Sequence, residues 1–186
     1  MENLEKFKQF GKRANGIILS NEDEKNSVVY TRVSTKEQAE NNLSLTTQKN
    51  KCNELAIKNG HTVYGHFGGT YESAASDERK EFKRMLTFIR KSKVKINYII
   101  VYSLDRFSRT GAGAISIAKE LREEGVKVIS VTQPVDVSTS SGVFQQNMHF
   151  IFGQYDNDQR RDKCITGMIE RLRRGDWVGH APFGYD

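Results

Sequence analysis

The sequence predicts an α/β fold: a mainly parallel sheet with helices on both faces, followed by a long C-terminal helix. Three patterns carry that expectation. The continuous apolar run Tyr98-Ile99-Ile100-Val101-Tyr102, with a second such strand at Val126–Val131, reads as parallel strand buried on both faces. Strand and helix segments alternate, the order that builds parallel sheets from βαβ units. From Ser141 to Arg174 there is neither proline nor a turn cluster, which predicts one helix of up to about thirty residues, beyond the usual ten to twenty.

The elements follow in order. Residues 1–26 are charged, ending in Ser20-Asn21-Glu22-Asp23-Glu24-Lys25-Asn26, and read as an extension that holds one short apolar patch, Ile17-Ile18-Leu19. A first strand is expected over Val28–Val33. A helix over Leu45–Asn59 places Leu45, Cys52, Leu55 and Ala56 on one side and stops at Asn59-Gly60. A second strand follows at Thr62–His66, then a Gly/Ser/Ala-rich loop, Gly68–Asp77. Phe82, Met85, Leu86 and Ile89 form the stripe of an amphipathic helix, Glu81–Ser92. After the apolar strand at 98–102, a helix over Ala112–Glu124 leads through Gly125 into the strand at 126–131.

The long helix changes composition halfway. Val143, Phe144, Met148, Ile151, Phe152 and Tyr155 make its first half apolar, either as core or as a surface for a second copy of the chain. Asp156 to Lys163 is polar, and Ile165, Met168, Ile169 and Leu172 resume a stripe. The expected divisions are an extension at 1–26, an α/β domain at 27–138, the long helix at 139–175, and the start of a linker at 176–186.

At 186 residues the chain suits one domain with an appended helix. Lys+Arg of 29 against Asp+Glu of 23 gives a net charge of +6, which favours a polyanionic partner. The excess is local: Arg79, Lys80, Lys83, Arg84, Arg90, Lys91, Lys93 and Lys95 are opposed within that stretch by Glu81 alone. A solvated helix face would give the same pattern. Cys52 and Cys164 lack paired spacing and read as reduced thiols of a cytoplasmic protein. His61, His66, His149 and His180 do not combine with cysteines or carboxylates at ligand spacings, so no structural metal is expected. No apolar run is long enough to span a bilayer, and no signal-peptide core is present.

Three places concentrate arginine with small polar partners. Arg32 and Ser34 stand at the end of the first strand, where residues two apart share a face. Ser73 to Arg79 is a loop ending where a helix starts. Ser103-Leu104-Asp105-Arg106-Phe107-Ser108-Arg109 directly follows the third strand. Ligands of open α/β sheets bind beyond the carboxyl ends of the strands, where the first and third groups lie. A hydroxyl attacking a phosphodiester builds negative charge on oxygen, and positioned arginines stabilise that charge. Arg32, Arg79, Arg106 and Arg109 are the candidate cage, one that works without a metal ion. Asp105 either orients the arginines or takes part in proton transfer. Taken singly, Ser34 also fits a helix cap, Asp105 with its arginines a surface ion-pair cluster, and Ser73 a plain loop serine. Gly111-Ala112-Gly113 is displaced from its strand and lacks a third glycine in register, so it is no dinucleotide fingerprint.

These residues resemble the serine recombinases, the resolvase/invertase superfamily, over about Val28–Asp186. Tyr30-Thr-Arg-Val-Ser-Thr is similar to the family's nucleophile strand, which makes Arg32 the active-site arginine and Ser34 the nucleophile. Gln38 falls on the family's active-site glutamine, Ser73 and Arg79 on its loop serine and arginine. Leu104-Asp-Arg-Phe-Ser-Arg resembles the Leu-Asp-Arg-Leu-x-Arg motif and supplies Asp105, Arg106 and Arg109. The resemblance implies a catalytic domain at 27–138 and no cofactor. Ser34 would cleave and rejoin double-stranded DNA through a 5′-phosphoserine, in a tetramer assembled from two homodimers. It makes the long helix a dimerisation helix whose second half, carrying Arg160, Arg161, Lys163, Arg171, Arg173 and Arg174, follows the minor groove.

Three departures point towards large serine integrases and transposon recombinases, proteins of bacteria, phages and mobile elements. Asn41-Asn42-Leu43-Ser44-Leu45 lengthens the loop after the nucleophile. Tyr155-Asp-Asn-Asp resembles their Phe-Glu-Asn-Asp, with Asp162-Lys163 where Glu-Arg is common. Trp177-Val-Gly-His-Ala-Pro-Phe-Gly-Tyr185 resembles the join to a second, DNA-binding domain, so a longer parent protein is expected. Two rivals are a non-catalytic DNA-binding or assembly module of the same fold and a nucleotide-binding regulator. The filled catalytic positions disfavour the first, and the lack of a phosphate-cradling glycine loop the second.

Overall fold

The computed structural model describes residues 25–32, 45–68, 77–108 and 110–176, with 77–79 as backbone only. Among the described residues, nine elements run in the order β1 (Asn26–Thr31), α1 (Leu45–Lys58), β2 (Thr62–Gly68), α2 (Asp77–Lys91), β3 (Tyr98–Val101), α3 (Leu104–Phe107), α4 (Gly111–Glu123), β4 (Lys127–Ser130) and α5 (Ser140–Arg173). The four strands form one sheet, all parallel, in the order β2-β1-β3-β4. From β1 the chain steps one way to β2, then reverses through β3 to β4. Right-handed crossovers across such a reversal put the first helix on one face and the next two on the other.

Alternation along the strands distributes the core accordingly. Val29 and Ile100 face α1, packing with Cys52 and Ala56. Val28, Tyr30, Ile99, Val101 and Val128 face the opposite way, onto Met85 and Ile89 of α2, Ala114, Ala118 and Leu121 of α4, and Phe150 of α5. Helices on both faces of a parallel sheet are what the sequence predicts.

Several boundaries move, each for a physical reason. β1 starts at Asn26, inside the expected extension, and ends at Thr31 rather than Val33. Its polar start is buried because neighbours satisfy it: Asn26 Nδ2 donates to the Lys95 carbonyl at 3.1 Å and Ser27 Oγ to the Thr62 carbonyl at 3.2 Å. Arg32 is therefore the first residue beyond the strand, and the shared-face argument for Arg32 and Ser34 does not rest on β1 itself. β2 continues to Gly68, with Tyr64 as the extra residue where the register against β1 shifts. α2 opens at Asp77, four residues before the expected start, so the polar run Asp77–Lys80 is its first turn. The strands at 98 and 127 close at Val101 and Ser130, each one residue short of expectation. The one-turn helix α3 carries no periodicity for a sequence to show.

α5 is a single helix of 34 residues, capped by the Thr139 hydroxyl accepting from the Gly142 amide. Its core-facing residues are Gly142, Gln146 and Phe150, one turn apart each. Gln146, polar and fully enclosed, donates to the Val128 carbonyl at 2.9 Å. The apolar first half is for the most part not core: Phe144, Ile151, Phe152 and Tyr155 stand exposed, as do Ile165, Met168, Ile169 and Leu172 beyond.

Candidate active site

The strand order reverses between β1 and β3, and their carboxyl ends flank the crevice where such sheets bind ligands. Arg32 leaves β1 at this edge and is buried at 7% exposure. Its guanidinium reaches across to the segment after β3: Nη2 donates to the Asp105 carbonyl at 2.6 Å and Nε to the Arg106 carbonyl at 3.3 Å. A planar fork suits this task, because one side chain spans two successive backbone oxygens. Asp105 and Arg106 lie in α3. The Asp105 carboxylate accepts the Ser103 hydroxyl and lies 3.5 Å from Arg106 Nε. Arg32, Asp105 and Arg106, taken from two separate stretches of sequence, thus share one edge.

Aromatic packing beneath this edge fixes α3. Tyr30 meets Phe82 edge-on at 5.4 Å, Phe82 meets Phe107 at 5.5 Å, and Phe107 lies 5.9 Å from Phe150. The chain of rings joins β1, α2, α3 and α5, and such pairs add about 0.5–1.5 kcal/mol each beyond area burial. Gly111 lets backbone approach the same place: a Cβ there would meet the Phe150 carbonyl at 2.7 Å, whereas one on Gly153 would make only ordinary contact with Asp105 at 3.6 Å. Gln154 accepts from the Gly111 amide at 2.8 Å, tying the start of α4 to α5.

β2 contributes Gly68, whose φ of +88° and close approach to the Thr31 carbonyl exclude a side chain. The Gly68 amide donates to Glu81 Oε2 at 3.2 Å, and Arg84 pairs with Oε1 of that carboxylate at 2.9 Å while lying over Phe67. Glu81, the sole acid of the basic stretch, thereby ties α2 to the end of β2.

Of the other expected site residues, Ser34, Gln38, Ser73 and Arg109 lie outside the described residues. Arg79 falls in the first turn of α2, its side chain outside the described part. Arg160, Arg161, Lys163, Arg171 and Arg173 are all exposed on the distal half of α5, and Arg174, its C-cap, is exposed too. Their nearest carboxylates, Asp162 for Arg161 and Glu170 for Arg173 and Arg174, stand 3.8–3.9 Å away in water, where pairing is worth little. Among the described residues no group of three or more His, Cys, Asp or Glu side chains is placed to hold a metal ion, and no helix is long and apolar enough to cross a membrane.

Residues 27–177 match the family model described as "Resolvase, N terminal domain". The chain belongs to this family. It is similar to the serine recombinase gin of Escherichia phage Mu, 26% identical over 110 residues that cover 59% of this chain and 55% of that protein. The transposon Tn917 resolvase of Enterococcus faecalis is 31% identical over 112 residues, 60% of this chain and 59% of its own. The chain thus spans a little over half the length of these relatives. Among solved structures, a resolvase family site-specific recombinase from Streptococcus pneumoniae superposes with a TM-score of 0.57 at 28% identity, covering 80% of this chain and 98% of that one. The N-terminal catalytic domain of TP901-1 integrase gives 0.57 at 25% identity, covering 73% and 99%. The parallel sheet and long C-terminal helix are the fold of these catalytic domains.

Proposed function

We propose that the protein is a site-specific DNA recombinase that cuts and rejoins DNA through Ser34. The observation that carries this reading is the Arg32 guanidinium, bonded to the backbone of Asp105 and Arg106 at the strand-reversal crevice. Buried Arg32 thus joins the first strand's end to the Asp105-Arg106 segment, and Ser34 follows Arg32 by two residues, which supports this reading.

The Ser34 hydroxyl attacks a DNA phosphorus and gives up its proton to solvent while the O3′–P bond breaks and the departing 3′ oxygen takes up a proton from solvent, giving a 5′-phosphoserine and a free 3′ hydroxyl. The phosphoester retains the bond energy, so attack by a 3′ hydroxyl expels Ser34 and restores the phosphodiester. Arg32, Arg79, Arg106 and Arg109 offset charge on the phosphoryl oxygens, the dominant catalytic contribution in such transfers. Asp105, bonded to Ser103 and beside Arg106, orients the arginine. Gln38 and Ser73 complete the site. Residues 27–138 form the catalytic domain and 139–175 the helix that pairs with a second copy, two such dimers making a tetramer across two DNA sites. The exposed Phe144, Ile151, Phe152 and Tyr155 support that pairing, and the exposed basic residues of α5 support contact with the minor groove. Residues 176–186 lead towards a further DNA-binding domain of the parent protein, a cytoplasmic protein encoded by a bacterium, a phage or a mobile element.

The test is covalent trapping. The full-length protein is incubated with nicked suicide duplexes tiled across the DNA flanking its gene, and denaturant-resistant adducts are digested and sequenced by mass spectrometry. A phosphonucleotide on Ser34, absent from Ser34→Ala, is expected. An adduct that survives Ser34→Ala defeats the assignment, and a protein that binds these duplexes but never forms an adduct is an assembly module instead.

A further inference from the structure

So short a helix as α3 can satisfy few amides within itself; the Arg106 amide donates back to the Ser103 carbonyl at 3.0 Å. Ser103, directly before it, is the residue type that ordinarily caps a helix start, yet it makes no cap bond and its hydroxyl goes to Asp105. The Leu104 amide donates instead to Gln133 Oε1 at 2.9 Å, from the segment after β4. That oxygen is held in place: Ser130 Oγ donates to it at 3.0 Å, and the Gln133 amide returns a bond to Ser130 Oγ at 3.2 Å. Ser130 is itself buried, and its single hydroxyl proton is shared between Gln133 Oε1 at 3.0 Å and the Tyr102 carbonyl at 3.2 Å. α3 is therefore gripped twice by long-range polar bonds, at its first amide by Gln133 and at the Asp105 and Arg106 carbonyls by Arg32.

We propose that Gln133 is a positioning residue for DNA cleavage, fixing the amino end of α3 and so setting where Asp105 and Arg106 stand at the reactive edge. Leu104 and Phe107, both buried, already anchor α3 to the core. The Gln133 bonds add orientation to a helix that packing alone holds in place. An orientation error near 1 Å in a group that stabilises transferring phosphoryl oxygens costs on the order of 100-fold in rate. The proposal rests on the recombinase reading above.

The experiment separates the two. In the full-length protein, the single-turnover rate of Ser34-dependent adduct formation at saturating DNA is measured beside DNA affinity and hydrogen exchange at the Leu104 amide. Gln133→Ala is expected to slow adduct formation by roughly 10- to 100-fold, leave DNA affinity within about 2-fold, and speed Leu104 exchange. Gln133→Glu keeps both acceptor bonds and is expected to react within about 5-fold of wild type. Ser130→Ala, which releases Gln133 without removing it, is the second variant should Gln133→Ala fold poorly, with an intermediate loss expected. Wild-type rates in Gln133→Ala or Ser130→Ala despite faster Leu104 exchange overturn the proposal and leave the recombinase reading intact. So does a defect confined to DNA affinity, or Gln133→Glu reacting as slowly as Gln133→Ala. Failure of the wild-type protein to form any Ser34 adduct defeats the recombinase reading, and the proposal with it.

Discussion

Replacing Gly68 with alanine tests how tightly the reactive edge is built. A Cβ at this position would lie 1.9 Å from the Thr31 carbonyl oxygen, at a φ of +88°. The backbone strain of a non-glycine residue there is about 1–2 kcal/mol. Separating the two atoms to even 3.0 Å requires a shift of 1.1 Å (3.0 minus 1.9) between the ends of β1 and β2, and forced repacking of that kind costs about 1–3 kcal/mol more. The sum is about 2–5 kcal/mol. Gly60 supplies the control, since its φ is +71° but nothing lies within 4 Å of its added Cβ, so Gly60→Ala carries the strain alone. For a domain of this size each kcal/mol moves the melting temperature by about 2–4 °C, so Gly68→Ala should melt roughly 10 °C below wild type and Gly60→Ala roughly 4 °C below. Thermal unfolding followed by circular dichroism reads both. If the two variants melt within about 2 °C of each other, the close approach of β2 to Thr31, and with it the placement of Arg32 one residue on, is wrong.

Other expectations follow from the same geometry. Arg32→Lys keeps the charge but loses the fork that spans two carbonyls; adduct formation should fall at least about 10-fold while the protein stays folded. Ile151→Asp with Phe152→Asp places charge on exposed apolar positions; monomer melting should move by less than about 0.5 kcal/mol equivalent, while sedimentation should show self-association lost. Thiol labelling should separate the two cysteines. Burial pushes the Cys52 thiol from 9.0 up to about 12, so a maleimide should modify exposed Cys164 in the native protein and Cys52 only on unfolding. The unfolded thiol ionises first, so stability present below about pH 9 should decline as pH rises towards 12.

What the sequence revealed depended on which interactions announce themselves locally. Ile99, Ile100 and Val101 are buried from both sides, so their strand shows as an unbroken apolar run. The stripe Phe82, Met85, Leu86 and Ile89 likewise marks the face of α2 that meets the core. Asn26 and Ser27 open β1 although polar, because their partners Lys95 and Thr62 lie dozens of residues away. The same blindness hid Gln133 and Gln154, amides whose roles exist only once β4 and α5 are folded against α3 and α4. Gln48 was missed inside α1 for a related reason: it is enclosed beside Leu45, Cys52 and Ala56, where a polar residue interrupts the stripe. Arg32, Asp105 and Arg106 were legible as a set because strand ends collect ligand-binding groups. Hydropathy showed the stripe on α5 but not whether core or solvent faced it, and Phe144 and Ile151 prove exposed.

α5 has one further consequence. Beyond Gln154 it loses contact with the core, leaving about twenty residues, near 30 Å of helix, held by their own turns. Helix of that kind in water sits close to its coil–helix midpoint and opens at little cost in free energy. Whatever grips the distal segment first must bear the entropy of ordering it, and the next ligand meets a segment already rigid. On the proposed reading, self-association and DNA binding would be cooperative through order alone, each tightening the other while the sheet and its arginines stay still. A calorimetric signature follows: the first partner to bind should show a large unfavourable entropy that the second does not.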